Sequence, residues 1–580
     1  MKQKIFALFL ILCGLCLNLK AETQGDVVGR VLDDSGAPLA GATVQILHAK
    51  GGVITDEDGY FRIPYSKDGA VRVKVSFVGY QTQTFVLKAD ERKGEQHVLR
   101  LQPDATALDQ VVVTATRTPK ALKDAPVVTR LITANDIKIA DATNIQDLLT
   151  EQMPGLEFGY AMNQETSLNM NGFGGNAVLF LVDGERLAGE TMDNVDYSRL
   201  NLDNVGRIEI VKGAASALYG ANAVAGVINI ISRENSEPWT ANVNTRYNNF
   251  NKEWRHGGSF SFNAGKWNSQ TSIQRTTSDE VQLTSPFDTE SNILHIYGGE
   301  TFNVKERLTY KLSDKVKLIG RGSYFARVSN RGNYDDHYKD YSAGLKTVMN
   351  LSENDNLEIS YGFDQYDKTR FVNNERTHDH DYTNRQNIIR ALYSHIFGKN
   401  TLTAGADFLN DFLTTYQFAN NGSKTQNSYD AFAQFDYNPL QWLNIVASLR
   451  HDYFSASSQH ATTGRLALMT KWKGFSIRAN YAGGFRAPTL KEMYMNFDMA
   501  GMQMIYGNPD LKPEKSNNFN LALEHTGRVK NAGFLTGQYS LTLMGYYNKY
   551  DKRITTEDYA DYTPGTGQPD VASRYCNEDG

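Results

Sequence analysis

From about residue 238 onward, hydrophobic and polar positions alternate with a period of two. Val243, Thr245 and Tyr247 alternate with Asn242, Asn244 and Arg246. Phe475, Ile477, Ala479 and Tyr481 alternate with Ser476, Arg478 and Asn480, and Phe519, Leu521 and Leu523 with Asn518, Asn520 and Ala522. Tyr539, Leu541 and Leu543 alternate with Ser540 and Thr542. Successive side chains of a strand point to opposite faces, so these runs predict strands with one apolar and one polar face. Repeated over residues 238–580, the pattern fits a transmembrane antiparallel β-barrel, apolar toward lipid and polar inside. Only a closed barrel pairs every strand's backbone groups within lipid.

The upstream pattern is different. Residues 25–102 hold short alternating runs between turns: Val27–Leu32, 42–47, 55–63 around Asp58-Gly59, 71–77, and a run to Leu87 after Gly79-Tyr80. This spacing predicts an N-terminal β-sandwich, and no catalytic residues cluster within it. Residues 120–235 mix helix and strand. A helix opens at Thr133-Ala134-Asn135-Asp136-Ile137, and another runs over 144–149 and stops at Pro154-Gly155. Val178–Val182 reads as a strand entering the Asp183-Gly184 turn. Further strands at 205–211 and 227–231 flank a short helix at 214–218. Residues 103–119 form a linker around one β-branched extended segment, Asp109-Gln110-Val111-Val112-Val113-Thr114-Ala115-Thr116. The expected fold class is mainly β: a β-sandwich, an α/β domain and an incomplete transmembrane barrel.

The N-terminus changes the picture of location. Lys2 and Lys4 precede an apolar core over 5–17, and Ala21 follows, so residues 1–21 read as a secretory signal. Leu12 and Leu15 stand where a lipoprotein signal using Cys13 or Cys16 wants a small residue. Cleavage leaves Cys576 alone, so the exported chain is stabilised by its core or its membrane.

Composition excludes several classes. Acidic residues number 65 and basic ones 60, so no basic excess points to nucleic acid. A mean hydropathy of −0.46 excludes a polytopic helical membrane protein but not a barrel. The 31 Tyr, 28 Phe and 5 Trp are enough to build aromatic girdles at two membrane interfaces. Gly172, Gly174, Gly175, Gly213, Gly220 and Gly226 complete neither phosphate-loop motif and read as tight turns. Neither a Gly-x-Ser-x-Gly elbow nor a His-Glu-x-x-His helix is present, so no enzyme activity and no cofactor are expected.

Four groups of residues resemble known families. Val28-Gly29-Arg30-Val31, Pro38-Leu39-Ala40-Gly41-Ala42-Thr43-Val44, Thr55-Asp56-Glu57-Asp58-Gly59-Tyr60-Phe61 and Val75-Ser76-Phe77-Val78-Gly79-Tyr80 resemble the carboxypeptidase regulatory-like domain that precedes many Bacteroidetes outer-membrane receptors. Asn171-Gly172-Phe173, Leu179-Phe180-Leu181-Val182-Asp183-Gly184, Arg207-Ile208-Glu209-Ile210-Val211-Lys212-Gly213, Ala217-Leu218-Tyr219-Gly220 and Ala225-Gly226-Val227-Ile228-Asn229-Ile230-Ile231 resemble the plug domain of TonB-dependent receptors. The segment Asp109, Gln110, Val111, Val112, Val113, Thr114 and Ala115 looks like their TonB box. Gly484-Phe485-Arg486-Ala487-Pro488 and Asn508-Pro509-Asp510-Leu511 resemble the paired FRAP and NPDL boxes of haem receptors, with relatives in siderophore and cobalamin receptors.

The resemblance implies active import across the outer membrane of a Gram-negative cell. The implied partners are TonB with its inner-membrane energising complex, outer-membrane lipids and, for this branch, a possible surface lipoprotein. Haem or another porphyrin is the first candidate ligand, with a corrinoid or a ferric siderophore as alternatives. A surface-binding or adhesion barrel without transport is the alternative of a different class.

Many haem receptors carry a histidine between the two boxes; here five methionines stand there instead. Thioether sulfur can ligate haem iron, so Met495, Met499 and Met502 are candidate contacts. Tyr506, Phe485, Arg486, Asn508 and Asp510 from the boxes, and Tyr160 from the plug, join them. His378 and His380, in what reads as a polar loop over 373–381, have His-x-His spacing and are candidate metal ligands. Residues 489–515 read as an extracellular loop, and the connection near Gly527-Arg528 as a shorter one. Receptors of the resembled type have about 22 strands. Residues 238–580 hold about 14–16 at roughly 9–11 residues per strand plus turns. The end at Tyr575-Cys576-Asn577-Glu578-Asp579-Gly580 reads as polar loop, which suggests a C-terminally truncated form.

Overall fold

The computed structural model describes residues 27–101 apart from 34–35, 37, 40, 48–51, 57, 64–69, 78–81 and 88–96. It also describes 111–579 apart from 161–163, 190–193, 236, 285–292, 500, 530–536 and 566. The expected signal over 1–21, and Asp109 and Gln110 of the TonB-box segment, lie outside the described residues. The chain divides into two compact units, the boundary falling between residues 110 and 111.

The first unit pairs two sheets. Val27–Leu32 lies between Tyr60–Ile63, antiparallel, and His97–Arg100, parallel. The second sheet runs Gly52–Ile54, Thr43–Ile46, Val71–Ser76, Gln83–Leu87. Alternate residues of Val71–Ser76 are buried and exposed, as the period-two reading requires. Val27, Val31, Val44, Ile46, Phe61, Val73, Val75 and Leu99 form one core.

The second unit begins with an α/β domain. Its five-stranded sheet runs Thr129–Thr133, Val205–Lys212, Gly226–Ser232, Val178–Val182, Glu185–Arg186. Helix Ala134–Ala140 starts with a capping box between Thr133 and Asp136, and helix Ile145–Gln152 is capped by Asn144. Both residues of the Asp183-Gly184 turn have positive φ, 52° and 85°, as a two-residue hairpin of this hand requires. Ile145, Leu148, Leu149, Ile208, Ile210 and Ile228 anchor the core.

Around this domain stands the largest sheet among the described residues, a meander of fifteen strands, each antiparallel to the next. They are β1 (Trp239–Asn248), β2 (Glu253–Ala264), β3 (Trp267–Ser278), β4 (Gly299–Lys311), β5 (Val316–Asn330), β6 (Asp335–Asn350), β7 (Asp355–Val372) and β8 (Glu375–Phe397). Then follow β9 (Asn400–Thr415), β10 (Ser423–Leu440), β11 (Leu443–Phe454), β12 (Gln459–Trp472), β13 (Phe475–Arg486), β14 (Glu514–Val529) and β15 (Gly537–Asp551). Connections at one end are tight, as at 265–266, 398–399, 441–442 and 473–474. Those at the other end include 279–298 and 487–513, so that end is the extracellular one.

The outward positions carry exposed Ile389, Leu449, Leu466, Leu468, Ile477, Leu521 and Leu523, while the inward ones bury Asp340, Asp364, Arg390, Asp407, Gln434, Arg450 and Arg465. Aromatic residues ring both edges of the apolar belt. Trp267–Tyr310 and Trp472–Phe475 pairs mark the short-turn side. Tyr324–Tyr341, Phe408–Tyr429 and Tyr481–Phe519 mark the other.

Three local expectations change. Residues 375–381 belong to β8, and the turn is confined to Asn373 and Asn374, both at positive φ. β14 runs through Gly527 and Arg528 to Val529, its backbone staying paired with β15 to the end. Ala572–Glu578 is a strand, held antiparallel to Arg553–Asp558 and parallel to Met504–Tyr506. Its polar composition suits a sheet outside lipid.

Ala447 points outward at the centre of the belt on β11, with its neighbours Val446 and Ser448 facing in. Ala447→Arg is expected to destabilise the barrel by about 2–4 kcal/mol, the cost of a cation at the bilayer midplane. Urea unfolding in lipid vesicles measures this.

Candidate functional site

Two regions of the second unit carry its chemistry. The first is the chain that enters the α/β domain. Val111–Val112 pairs with Lys120–Ala121, and the backbone then turns at Thr114–Thr116 instead of continuing extended. The cause is Glu209, which is fully buried. Its Oε2 accepts the amide hydrogens of Val113 and Thr114 at 2.9 and 2.8 Å and the Thr114 hydroxyl at 2.7 Å. Arg207 Nε donates to Oε1 at 2.8 Å, which supplies the counter-charge. Asn229 Nδ2 donates to Thr114 Oγ1, and the Tyr219 hydroxyl to the Thr114 carbonyl, both at 3.0 Å.

The barrel wall holds the same chain. Gln434 Nε2 donates to the Thr116 carbonyl at 2.7 Å, and Lys120 pairs with Asp436 at 2.6 Å. Arg117 donates to the Leu218 carbonyl at 2.8 Å and lies 4.2 Å over the Tyr219 ring. Burial, with Arg390 nearby, pushes its guanidinium down to about 10, so it stays cationic at neutral pH. A strand that adds to a partner's sheet must offer unpaired backbone groups. Here Val113 and Thr114 donate inward, so the segment has to leave Glu209 before it can pair.

The second region is the extracellular half of the lumen. Arg327, Arg331, Lys368 and Arg370 project inward from β5, its following loop, and β7, near their extracellular ends. Arg370 lies 3.8 Å over the Tyr334 ring, Arg327 4.0 Å over Tyr338 and Arg331 5.1 Å over Tyr297. Glu165 of the α/β domain reaches Arg331 at 3.0 Å, the Tyr338 hydroxyl at 3.1 Å and Arg327 at 3.4 Å. Asp336 pairs with Arg370 at 2.9 Å and Lys368 at 3.1 Å, and Asp196 with Arg327 at 3.2 Å. Four cations thus face three carboxylates on an aromatic surface. Such a wall favours anionic, planar aromatic ligands.

The residues singled out from the sequence fall into separate places. Arg486 is buried and bridges Glu492 at 2.9 Å and Glu514 at 2.8 Å, tying the two boxes together at the loop base. Phe485 packs there against Phe454. A short helix, Leu490–Tyr494, turns into the lumen, followed by a hairpin of Asn496–Asp498 with Met504–Tyr506. Met495 is buried at its start, while Met499 and Met502 are exposed at its tip. Tyr506 stacks near Tyr559 and Tyr562, and Asn508 donates to the Tyr575 carbonyl. Asp510 is exposed, as is Tyr160 at the apex of the α/β domain. His378 bonds Asp381 at 2.8 Å and His380 pairs with Asp379 at 3.1 Å. Among the described residues, no three His, Cys, Asp or Glu side chains converge on a metal-sized site.

Comparison with known proteins gives three domain matches. Residues 299–580 match the family described as TonB dependent receptor-like, beta-barrel; 121–227 match the TonB-dependent receptor plug domain; 27–113 match the CarboxypepD_reg-like domain. The chain is 24% identical over 485 residues to an iron-regulated outer membrane virulence protein of Vibrio cholerae, covering 78% of this chain and 70% of that one. It is 25% identical over 473 residues to the vitamin B12 transporter BtuB of Photobacterium profundum, covering 78% and 71%. Among solved structures it is similar to the siderophore receptor PirA from Pseudomonas aeruginosa, with TM-score 0.63, 17% identity and coverage of 78% and 79%. It is also similar to the hemophore receptor HasR of Serratia marcescens, with TM-score 0.65, 12% identity and coverage of 78% and 77%.

Glu209→Ala removes three hydrogen bonds to the entering chain at once. With Ala115→Cys as reporter, thiol labelling by a membrane-impermeant maleimide is expected to speed up about tenfold or more relative to the same reporter with Glu209 present. An unchanged rate would mean that the barrel contacts alone hold the segment.

Proposed function

The chain belongs to the TonB-dependent receptors, transporters of the Gram-negative outer membrane and not enzymes, and on that footing we propose that its cargo is an anionic, aromatic iron chelate, with haem as the first candidate. The observation that carries this reading is the wall of Arg327, Arg331, Lys368 and Arg370 on the rings of Tyr297, Tyr334 and Tyr338. Haem offers a planar ring for the part-exposed Tyr297 and Tyr334 and two propionates for the guanidinium groups. A ferric catecholate shares both features and is the near alternative. The exposed Met499 and Met502 would offer soft sulfur to a haem iron from the loop above.

Binding at the apex is coupled to release of the chain at 111–116 from Glu209. The freed segment then pairs with TonB, and the proton-driven pull opens the way. Nothing in this cycle transforms the ligand.

A second reading is a corrinoid. A separate cavity of about 160 Å³ under helix Leu490–Tyr494 is lined by Asn176, Asn222, Asn384, Gln386 and Gln426. Amide side chains of this kind suit a ligand rimmed with carboxamides.

Titration of the full-length receptor in detergent with haemin, followed at the Soret band, tests the choice. A saturable shift that cyanocobalamin does not displace is expected. Arg331→Gln with Arg370→Gln is expected to weaken it about tenfold. No shift together with tight cyanocobalamin binding would move the cargo to corrinoids. Deleting 111–116 is expected to abolish haemin-supported growth and leave binding intact; growth that survives the deletion would favour a surface-binding barrel.

A further inference from the structure

The plug sits against its wall in two different ways. Along β10–β13 the contact is closely packed, an apolar patch set among charged contacts such as Lys120 with Asp436. Helix Ser216–Tyr219 is buried, and Ala215, Leu218 and Tyr219 pack on Phe432, Val446 and Ala467. Along β3–β8 the two surfaces stand apart around a cavity of about 100 Å³, lined by Asp203, Lys305, Arg321, Asp340, Asp364 and Gln386. That volume has room for several water molecules, with charged and amide side chains among apolar ones in its lining. The lining begins at Arg307, close to the short-turn end of β4, and rises to Phe325 on β5.

One side chain closes its top. Arg199, on the turn Tyr197–Arg199, donates through Nη2 to Asp340 at 2.6 Å and to both carboxylate oxygens of Asp364 at 2.9 and 3.1 Å. Its Nη1 donates to the Ala188 carbonyl at 2.5 Å. Above it Phe325, Tyr338 and Tyr366 are buried together, and the Tyr366 hydroxyl donates to Asp196 at 2.8 Å. Beyond them lies the cationic wall. Parting the packed β10–β13 side exposes its apolar patch at roughly 25 cal/mol per Å². Parting the β3–β8 side exchanges polar contacts for water that the cavity has room to admit.

We propose that cargo passes between the plug and the β3–β8 wall, and that Arg199, bridging Asp340 and Asp364, is the gate, while the plug stays on β10–β13. This route rests on the reading of the chain as an importer, but not on which ligand it carries. TonB pulls on 111–116, which is tied to the β10–β12 wall, so the force reaches the gate through the plug sheet. Arg199 is a positioning residue here: it holds two like-charged carboxylates together, and its withdrawal leaves them to repel and hydrate.

Two tethers and one leak measurement test the route in the full-length receptor. A Cβ added at Gly484 would lie 3.4 Å from Ala214 Cβ, close to the spacing of a disulfide, so Ala214→Cys with Gly484→Cys pins the plug to β13. A Cβ at Gly189 would lie 2.5 Å from Tyr366 Cβ, so Gly189→Cys with Tyr366→Cys pins the gate side after a small shift. With haemin as sole iron source, the oxidised β13 tether is expected to support growth like the wild type. The oxidised gate tether is expected to stop growth, and reductant to restore it. Block by the β13 tether, or growth through the gate tether, would overturn the route.

Gly189 has φ +77°, where cysteine is strained, so the second measurement avoids that position. In planar lipid bilayers Arg199→Ala is expected to conduct ions, with Arg199→Lys and the wild type closed. An Arg199→Ala protein as tight as the wild type would overturn the gate. If the wild type itself fails to grow on haemin, the ligand assignment has failed, and the bilayer result alone decides the route.

Discussion

Lipid imposes the constraint on which the rest of this structure depends. A strand in the bilayer must find its backbone partners in neighbouring strands, so the chain curls a fifteen-stranded sheet around the plug and alternates apolar and polar residues along it. The inner face is therefore polar before any ligand is considered. Arg390, Arg450, Arg465, Asp407 and Asp364 all project inward and are buried by the plug. A buried charge stripped of its partner costs about 3–5 kcal/mol, so plug and wall must match charge for charge. Arg199 with Asp340 and Lys120 with Asp436, both at 2.6 Å, are that matching, while Arg390 with Asp407 at 2.8 Å and Arg450 with Asp430 at 2.6 Å pair within the wall.

The same constraint makes movement possible. Charged contacts can be exchanged for water where water can enter, whereas packed apolar surface resists separation. The plug combines both, a packed apolar patch on β10–β13 and a cavity with charged groups in its lining on β3–β8. At its foot, one carboxylate holds the entering chain: Glu209 satisfies the very backbone groups that an added strand would need. Binding above and pairing below thus act on the state of a single plug, which would give their coupling a physical basis.

Much of the fold was legible in the sequence because it follows from periodicity. The strands around Phe475 and Phe519 stand where the alternation puts them, those around Val178 and Val205 where the apolar runs do, and helix Ala134–Ala140 begins at its capping box. The errors have local causes. Residues 373–381 and 575–580 read as loops because they are polar, yet 375–381 and 572–578 lie in strands, since outside lipid a strand needs no apolar face. The segment at 113–116 read as extended because it is β-branched, and a buried carboxylate 95 residues away bends it. The candidate site was less legible. The two boxes marked a loop, and Arg486 in them is spent on Glu492 and Glu514. Arg327 on β5 and Lys368 and Arg370 on β7 are ordinary inward residues, and only the barrel's register brings the two strands' cations together. Arg207-Ile208-Glu209 was visible as a plug signature, but nothing in a linear sequence tells which backbone Glu209 holds.

The central claim is that ligand at the apex releases 111–116 while the plug remains folded. Hydrogen exchange followed by mass spectrometry on the full-length receptor in lipid nanodiscs, with and without haemin, tests it most directly. The account expects the amides of Val113 and Thr114 to lose protection on haemin binding while those of Thr129–Thr133 and Gly226–Ser232 keep theirs. Unchanged exchange at 113–114, or loss of protection across the whole plug sheet, would contradict it.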